Sequence, residues 1–271
     1  MISGAFNRFI SLLTGLFFIV ISAQCQLVNS GELHVKDGTI LYSAFLFENR
    51  SSGRVINDGT IVFLSDLVNE GEFAFSTAQN TGIVRMEGLS TQNISGSSQF
   101  KFWNLVLNNS TDFNLSNDLE VSGVADFSSG IVKAALPENV FSFGVGGSSI
   151  NSSDESFVDG KVGVQTDREI LFPTGDEIYR RILLASPIRP NEQLSLRGRY
   201  FFEDPGNLYP RDQTAPNIIL VDDAEYWELE NLDDEDSEMN LTLSWREVTT
   251  PPFILGDINK LGIGKPRRRG F

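Results

Sequence analysis

Cysteine occurs once and histidine once in 271 residues. A single thiol excludes any disulfide within the chain, so stability has to come from packing and backbone pairing. The lone imidazole, His34 in the stretch GELHVKDG, leaves at most one base for a Ser–His–Asp triad, and a hydrogen-bonded surface residue is the plainer reading. One Cys with one His cannot close a structural zinc site either. Long runs of Ala, Leu, Glu and Lys are missing, which argues against a helical protein. Positive charge is short as well: 21 Lys and Arg stand against 36 Asp and Glu, a net charge of −15. Such a surface repels nucleic acid and anionic lipid, so neither is expected as a partner of the body. Only the tail, 251–271, is locally basic, through Lys265, Arg267, Arg268 and Arg269.

Strongly apolar runs are also scarce. The exception is Phe9–Ser22 (FISLLTGLFFIVIS), which follows Arg8, with the small residues Ser22 and Ala23 standing just before Gln24. That order predicts an export signal over residues 1–23, cleaved before Gln24. The run is shorter than the roughly 20 residues a spanning helix needs, and nothing later is longer. No transmembrane segment is therefore expected once the signal is removed. Cys25 offers lipid anchoring as a secondary reading, that of an outer-membrane lipoprotein; lipobox cysteines follow a small residue, and Gln24 is not one.

What is abundant is turn chemistry. Between Leu27 and about Val132 a short motif recurs: Asn, Asp or Ser, a small or polar residue, Gly, then a polar–apolar couplet. Copies are N29-S-G-E-L33, N57-D-G-T-I61, N69-E-G-E-F73 and N80-T-G-I-V84. Gly and Asn accept positive φ and make sharp corners, and each corner is followed by β-formers. Many short strands at uneven intervals predict a β-solenoid over 27–150, expected as a short right-handed parallel β-helix. Phe100 and Phe102 alternate, the phase slips at Trp103, and Trp103, Leu105 and Leu107 are then expected to share a face. Leu119, Val121, Ala125 and Phe127 then alternate with Asp118, Glu120, Ser122 and Asp126.

After Gly130 the texture changes. The Gly/Ser-rich segment 144–156 is read as a linker or long loop, and the runs beyond it are longer, with prolines between them. Runs at 161–165, 169–172, 179–184, 194–202, 218–221, 225–229 and 240–245 predict an antiparallel β-sandwich over 157–250. The predicted fold class is thus all-β, a solenoid followed by a sandwich.

Several motifs, in order, resemble large secreted surface proteins of the Bacteroidota. In the first half they are Q92-N-I-S-G96, F100-K-F-W-N-L105, V106-L-N-N109 and L115-S-N-D-L-E-V-S-G123. In the second they are F157-V-D-G160, L171-F-P-T-G175, Y179-R-R181, R199-Y200, E225-Y-W227 and L241-T-L-S-W245. The resemblance implies type IX secretion and kinship with adhesin-like proteins linked to gliding motility. Such proteins usually finish in a sorting domain, for which the residues after Trp245 are too few. Cell-surface or extracellular residence, periplasmic residence, and a larger split product all stay open.

Candidate sites are few. Asp112, Asp118, Glu120 and Asp126 would suit glycoside hydrolysis if two of them met on one face, although alternating acids also describe a solvated one. Within the acidic run 222–238, Asp233, Asp234 and Asp236 are the candidates for Ca²⁺, with a solvated loop preferred because no calcium-loop spacing is present. Trp103, Trp227, Trp245, Tyr200 and Tyr226 could build a sugar platform but on alternating strands belong rather in the core. The expectation is a non-catalytic, adhesin-like structural or binding module of the cell envelope, with envelope or surface proteins or glycans as partners and no cofactor required. The alternative is a carbohydrate-active protein: a glycan-binding module, or a lyase or hydrolase on the solenoid.

Overall fold

The computed structural model describes residues 25–177, 179–189, 192–208, 221–233 and 237–256. The chain winds through three sheets, A, B and C, one strand of each per turn. The first turn is β1 (Gln26–Asn29), β2 (Glu32–Val35) and β3 (Ile40–Ser43). The second is β4 (Leu46–Asn49), β5 (Arg54–Asn57) and β6 (Thr60–Phe63), and the third β7 (Leu67–Asn69), β8 (Glu72–Ala74) and β9 (Ile83–Met86). Then come β10 (Gln92–Gly96), β11 (Phe100–Phe102) and β12 (Asn104–Asn108), followed by β13 (Phe113–Leu115), β14 (Leu119–Val121) and β15 (Val124–Ser129). The sixth turn is β16 (Val132–Ala134), β17 (Val140–Phe143) and β18 (Ser148–Ile150), and the seventh opens with β19 (Val158–Asp159) and β20 (Lys161–Thr166). Each strand pairs in parallel with its equivalent one turn away, giving a β-solenoid of about seven turns.

Side-chain alternation decides which residues line the interior. Phe47, Phe63, Phe73, Phe100 and Phe102 point inward from successive turns, and their ring centroids lie 5.3 to 6.4 Å apart. Phe127, Phe141 and Phe143 continue the column. Each fully buried ring contributes roughly 1.5–3 kcal/mol, which supplies the stability that disulfides cannot. The phase slip at Trp103 is the corner itself. Phe100 and Phe102 are buried in sheet B and Leu105 and Leu107 in sheet C, but Trp103 does not share their face as expected: it stands at the corner before β12 and sits outside against Phe75 at 5.5 Å.

The corner between sheets A and B carries an asparagine ladder. Asn29, Asn49 and Asn69 occupy equivalent register positions. Asn29 Nδ2 donates to Asn49 Oδ1 at 2.9 Å, and Asn49 Nδ2 donates to Asn69 Oδ1 at 2.8 Å. Asn69 Nδ2 in turn donates to the Ser98 and Gln99 carbonyls. Buried amides are tolerable only when so satisfied. Glycine follows because the ladder leaves no room: a Cβ at Gly71 would meet the Gly53 carbonyl oxygen at 2.2 Å. On the fourth turn Gly96 replaces the asparagine, with φ +125° and its would-be Cβ 2.1 Å from the Asn69 carbonyl oxygen. The ladder ends there.

Beyond β20 the chain stops winding without leaving the sheets, and after one more parallel pairing the strands alternate in direction. The strands beyond β20 are β21 (Ile170–Asp176), β22 (Tyr179–Pro187), β23 (Leu194–Phe201), β24 (Tyr226–Asn231) and β25 (Met239–Leu243). β21 pairs in parallel with β19, and β22 and β25 then extend sheet A antiparallel. β23 and β24 extend sheet B antiparallel from β20. Sheet C stops at β18, and the two extended sheets carry the core onward through Phe172, Leu183, Leu194 and Leu196. A sandwich over 157–250 standing apart from the solenoid is therefore not shown. The expected linker 144–156 holds β18, which pairs with β15 through its backbone despite its Gly/Ser composition. A single turn of helix, α1 (Pro252–Leu255), is the last described element. The predicted run 218–221 falls on residues that, up to 220, lie outside those described, as do the signal 1–23 and the tail from 257.

Candidate functional site: the outer face of sheet B and the closing cluster

Two places gather polar chemistry. The first is a line across the outer face of sheet B, set by strand register. Lys101 lies beside Glu120, Glu120 beside Ser142, Ser142 beside Gly163, Gly163 beside Arg197, and Arg197 beside Glu230. Between Glu120 and Arg197 stand only Ser142 and Gly163, so a groove of about 190 Å³ opens there, with Asp118 and Gln165 on its rim. Its floor is low because Gly163 has no side chain; a Cβ would sit 3.2 Å from Val140 Cγ1 and 3.3 Å from Ser142 Cβ. Asp118 Oδ1 accepts from the Val140 amide at 2.9 Å, and Glu120 Oε1 from Ser122 Oγ at 3.3 Å. Arg197 Nη1 lies 3.4 Å from Glu230 Oε2 and the side chain stays one-third exposed. This groove is smaller than the roughly 300–1,000 Å³ of a pocket that swallows a whole small molecule.

The second place is buried between sheets A and B where the winding ends. Arg181 of β22 and Glu225, just before β24, form an ion pair at 3.0 Å with both side chains essentially sealed from solvent. Tyr200 Oη of β23 donates to the same carboxylate at 2.6 Å, and Thr250 Oγ1 donates to its other oxygen. Thr249 Oγ1 accepts from Arg181, whose guanidinium carbon lies 5.1 Å from the Tyr200 ring centroid. Burial, with the Glu225 carboxylate beside it, pushes the Tyr200 phenol far above its ordinary pKa. Nearby, Arg246 pairs with Asp154, which also accepts from the Arg180 amide. That Arg246 hydrogen bond is the main reason the Asp154 carboxyl is held below its usual value. The three motifs quoted above from the second half, Y179-R-R181, R199-Y200 and E225-Y-W227, thus converge on one knot. Sequence inspection missed it because charged residues on alternating strands read as solvent-facing; the signal available was the order of those motifs.

The four acids do not assemble. Asp112 holds the Ile131 amide and Lys133 Nζ at one corner, and Asp126 takes Ser128 and Asn151 on sheet C. Only Asp118 and Glu120 share the groove. His34 Nε2 meets Asp58 Oδ2 at 2.8 Å. Burial alone would raise the Asp58 carboxyl, but hydrogen bonds from Ser76 and His34 hold it below the usual range. The aromatic platform is not formed either: Tyr200 is buried with Trp227 5.2 Å from it, Trp103 lies on the fourth turn, Tyr226 stacks face to face on Phe201 at 4.6 Å, and Trp245, expected in the core, is exposed. Asp233 caps the Ser195 amide at 2.8 Å, while Asp234 and Asp236 lie outside the described residues. Cys25 is free and exposed. Among the described residues no helix is long and apolar enough to cross a membrane, and no group of three or more potential metal ligands is gathered. Comparison with protein-family models, with curated proteins and with solved structures finds no match.

Proposed function

We propose that the chain is an exported, non-catalytic, adhesin-like structural or binding module of a bacterial cell envelope or surface. The single observation supporting this most strongly is the interior: rings and amides stacked turn upon turn, so that the solenoid is a rigid spacer about 4.8 Å longer per turn. Asn49, Asn69 and Gln92 spend their side-chain amides on backbone carbonyls elsewhere in the winding, as a scaffold requires. The export signal over 1–23 and the motif resemblance support a Bacteroidota envelope setting, with type IX delivery and a link to gliding adhesins, or anchoring through Cys25. Protease shaving of intact cells tests the location: a surface protein is cleaved, whereas a periplasmic one survives until the outer membrane is opened. Co-purification with envelope material, run with and without Ca²⁺, tests the binding role and the acidic stretch holding Asp233, Asp234 and Asp236.

The carbohydrate reading keeps a place because of the sheet B groove, where two acids and an arginine face each other. It is a reading of glycan binding more than of turnover. Screening the protein on polysaccharides for both retention and cleavage separates the two.

A further inference from the structure

The two ends of the winding are finished differently. At the far end sheet C stops at β18, whose Ser149 hydroxyl donates to the Leu171 carbonyl of β21, and sheets A and B run on into β25 and β24. At the near end β1, β2 and β3 each have a paired strand on one side only, among the described residues. The core is uncapped there as well. Leu27, Leu33 and Leu41, one from each sheet, stand in register with the fully buried Phe47, Val55 and Ile61 of the next turn. Yet Leu27 is 38% exposed and the other two are only half-buried. Ile40 and Tyr42, on the outer face of β3, are 67% and 61% exposed. Unpaired amides and carbonyls beside bare apolar side chains are a template for another strand. Proteins guard such edges with charge, but β1, β2 and β3 carry one formal charge between them, Glu32.

We infer that this end docks onto the same end of a second copy of the chain, pairing the three edges antiparallel about a two-fold axis. The inference goes beyond the proposed role and does not depend on what the module binds; it makes the spacer a double one. Cleavage before Gln24, as the export signal predicts, would leave two residues ahead of β1, too few to lay down a covering strand. Head-to-tail stacking does not mesh, because three open edges would meet two. Head to head, the rotation reverses the sense of winding, so every strand meets its partner antiparallel. The winding climbs about 4.8 Å per turn, so the two ramps lie level only with β2 against β2 and β1 against β3 of the second copy. One register then serves all three edges. Glu32, whose side chain is exposed, faces the exposed Lys36 of the second copy, and the same pair recurs across the axis. Leu33 faces Val35 and Leu27 faces Leu41, which closes the core, while Val28 faces Ile40 on the outside. His34 meets its counterpart at the axis, each imidazole held by its own Asp58.

The test is sedimentation of the exported chain, its first residue read by mass spectrometry, over a range of concentrations. Twice the chain mass is expected, and a nitroxide on Cys25, the sole thiol, then reports a short distance between copies. A dimer through the far ends would instead hold the labels at least about 65 Å apart, the length of two seven-turn windings. Ile40→Glu, at an exposed position, weakens association about a hundred-fold or more while the far-ultraviolet spectrum stays unchanged. Lys36→Glu weakens it about ten-fold, and Glu32→Lys combined with Lys36→Glu restores it, because the swap rebuilds both pairs. Leu89→Ser, at an exposed leucine away from this end, leaves association unaltered. A chain that sediments as a monomer at every concentration reached, free or bound to lipid vesicles, overturns the inference. So does a dimer indifferent to Ile40→Glu, a swap that fails to restore what Lys36→Glu loses, or labels held at the long distance.

Discussion

The turns up to β20 and the strands beyond it solve the same problem in different ways. In the first three turns of the solenoid, polar groups at one corner are satisfied by repetition: Asn49 is held by its counterparts above and below, Asn29 and Asn69. At the end of the winding no next turn exists to repeat against. There the chain reverses, and one non-repeated cluster, Arg181, Glu225, Tyr200, Thr249 and Thr250, ties sheet A to sheet B and to the segment after β25. Repetition spreads the load over many similar contacts; closure concentrates it in a few. The two regions should therefore respond very differently to single substitutions.

The largest effect is expected at the closure. Glu225→Ala strands a sealed guanidinium and should cost about 3–5 kcal/mol, read by denaturant unfolding. Hydrogen exchange should place the loss in β22 to β25. An Arg181→Met, Glu225→Leu double variant should recover much of it, since the pair is costly to desolvate. In the ladder, Asn49→Ala removes the middle amide and leaves partners above and below unsatisfied, at about 1–3 kcal/mol. At the ladder's open end, Asn29→Ala costs less, about 0.5–1 kcal/mol, because water can replace the lost bond. A gradient from Asn49 to Asn29 in unfolding midpoints is the signature of repetition; equal losses would contradict it.

Much of the first region is visible in the primary structure because its determinants are local. N-x-G corners declare themselves, and alternation at Leu119, Val121, Ala125 and Phe127 marks the inward face. The slip at Trp103 is the same kind of signal, a corner written as a change of phase. The ladder is not visible in this way: Asn29, Asn49 and Asn69 look like turn residues until stacked 20 positions apart. The strands of the second region are recognisable individually, but their partners are not. Nothing local says that β20 pairs with β17 on one side and β23 on the other. β18 is hidden because backbone pairing and one Ser149 hydroxyl bond to the Leu171 carbonyl hold it, with no apolar pattern to show it. Of the sheet B groove, Asp118 and Glu120 were readable candidates; Arg197 was not, because antiparallel register brings it there.

Smaller effects sharpen the contrast. Asp58 and Asp154 are held below the ordinary aspartate value of 3.8, so the stability they confer is present above that value and lost as pH falls through their folded values. Asp159 and Asp222 are raised by burial and act in the opposite sense, favouring the fold in acid and less so as pH rises through their folded values. Asp58→Asn should therefore flatten the acid limb of a melting-temperature profile. A profile unchanged below about pH 4 would count against the Ser76 and His34 contacts. Least of all should follow from Arg54→Ala, whose exposed pair with Glu72 is worth about 0.5 kcal/mol or less.

The central claim is that the closing strands are the solenoid's own sheets carried onward. The direct measurement is to express residues 151–271 alone and follow circular dichroism through a thermal scan. Without β16 and β17 to pair with β19 and β20, the fragment should show no cooperative transition and should lack fixed aromatic signals. A fragment that is β-rich, monomeric and melts sharply would contradict the account and restore an independent sandwich.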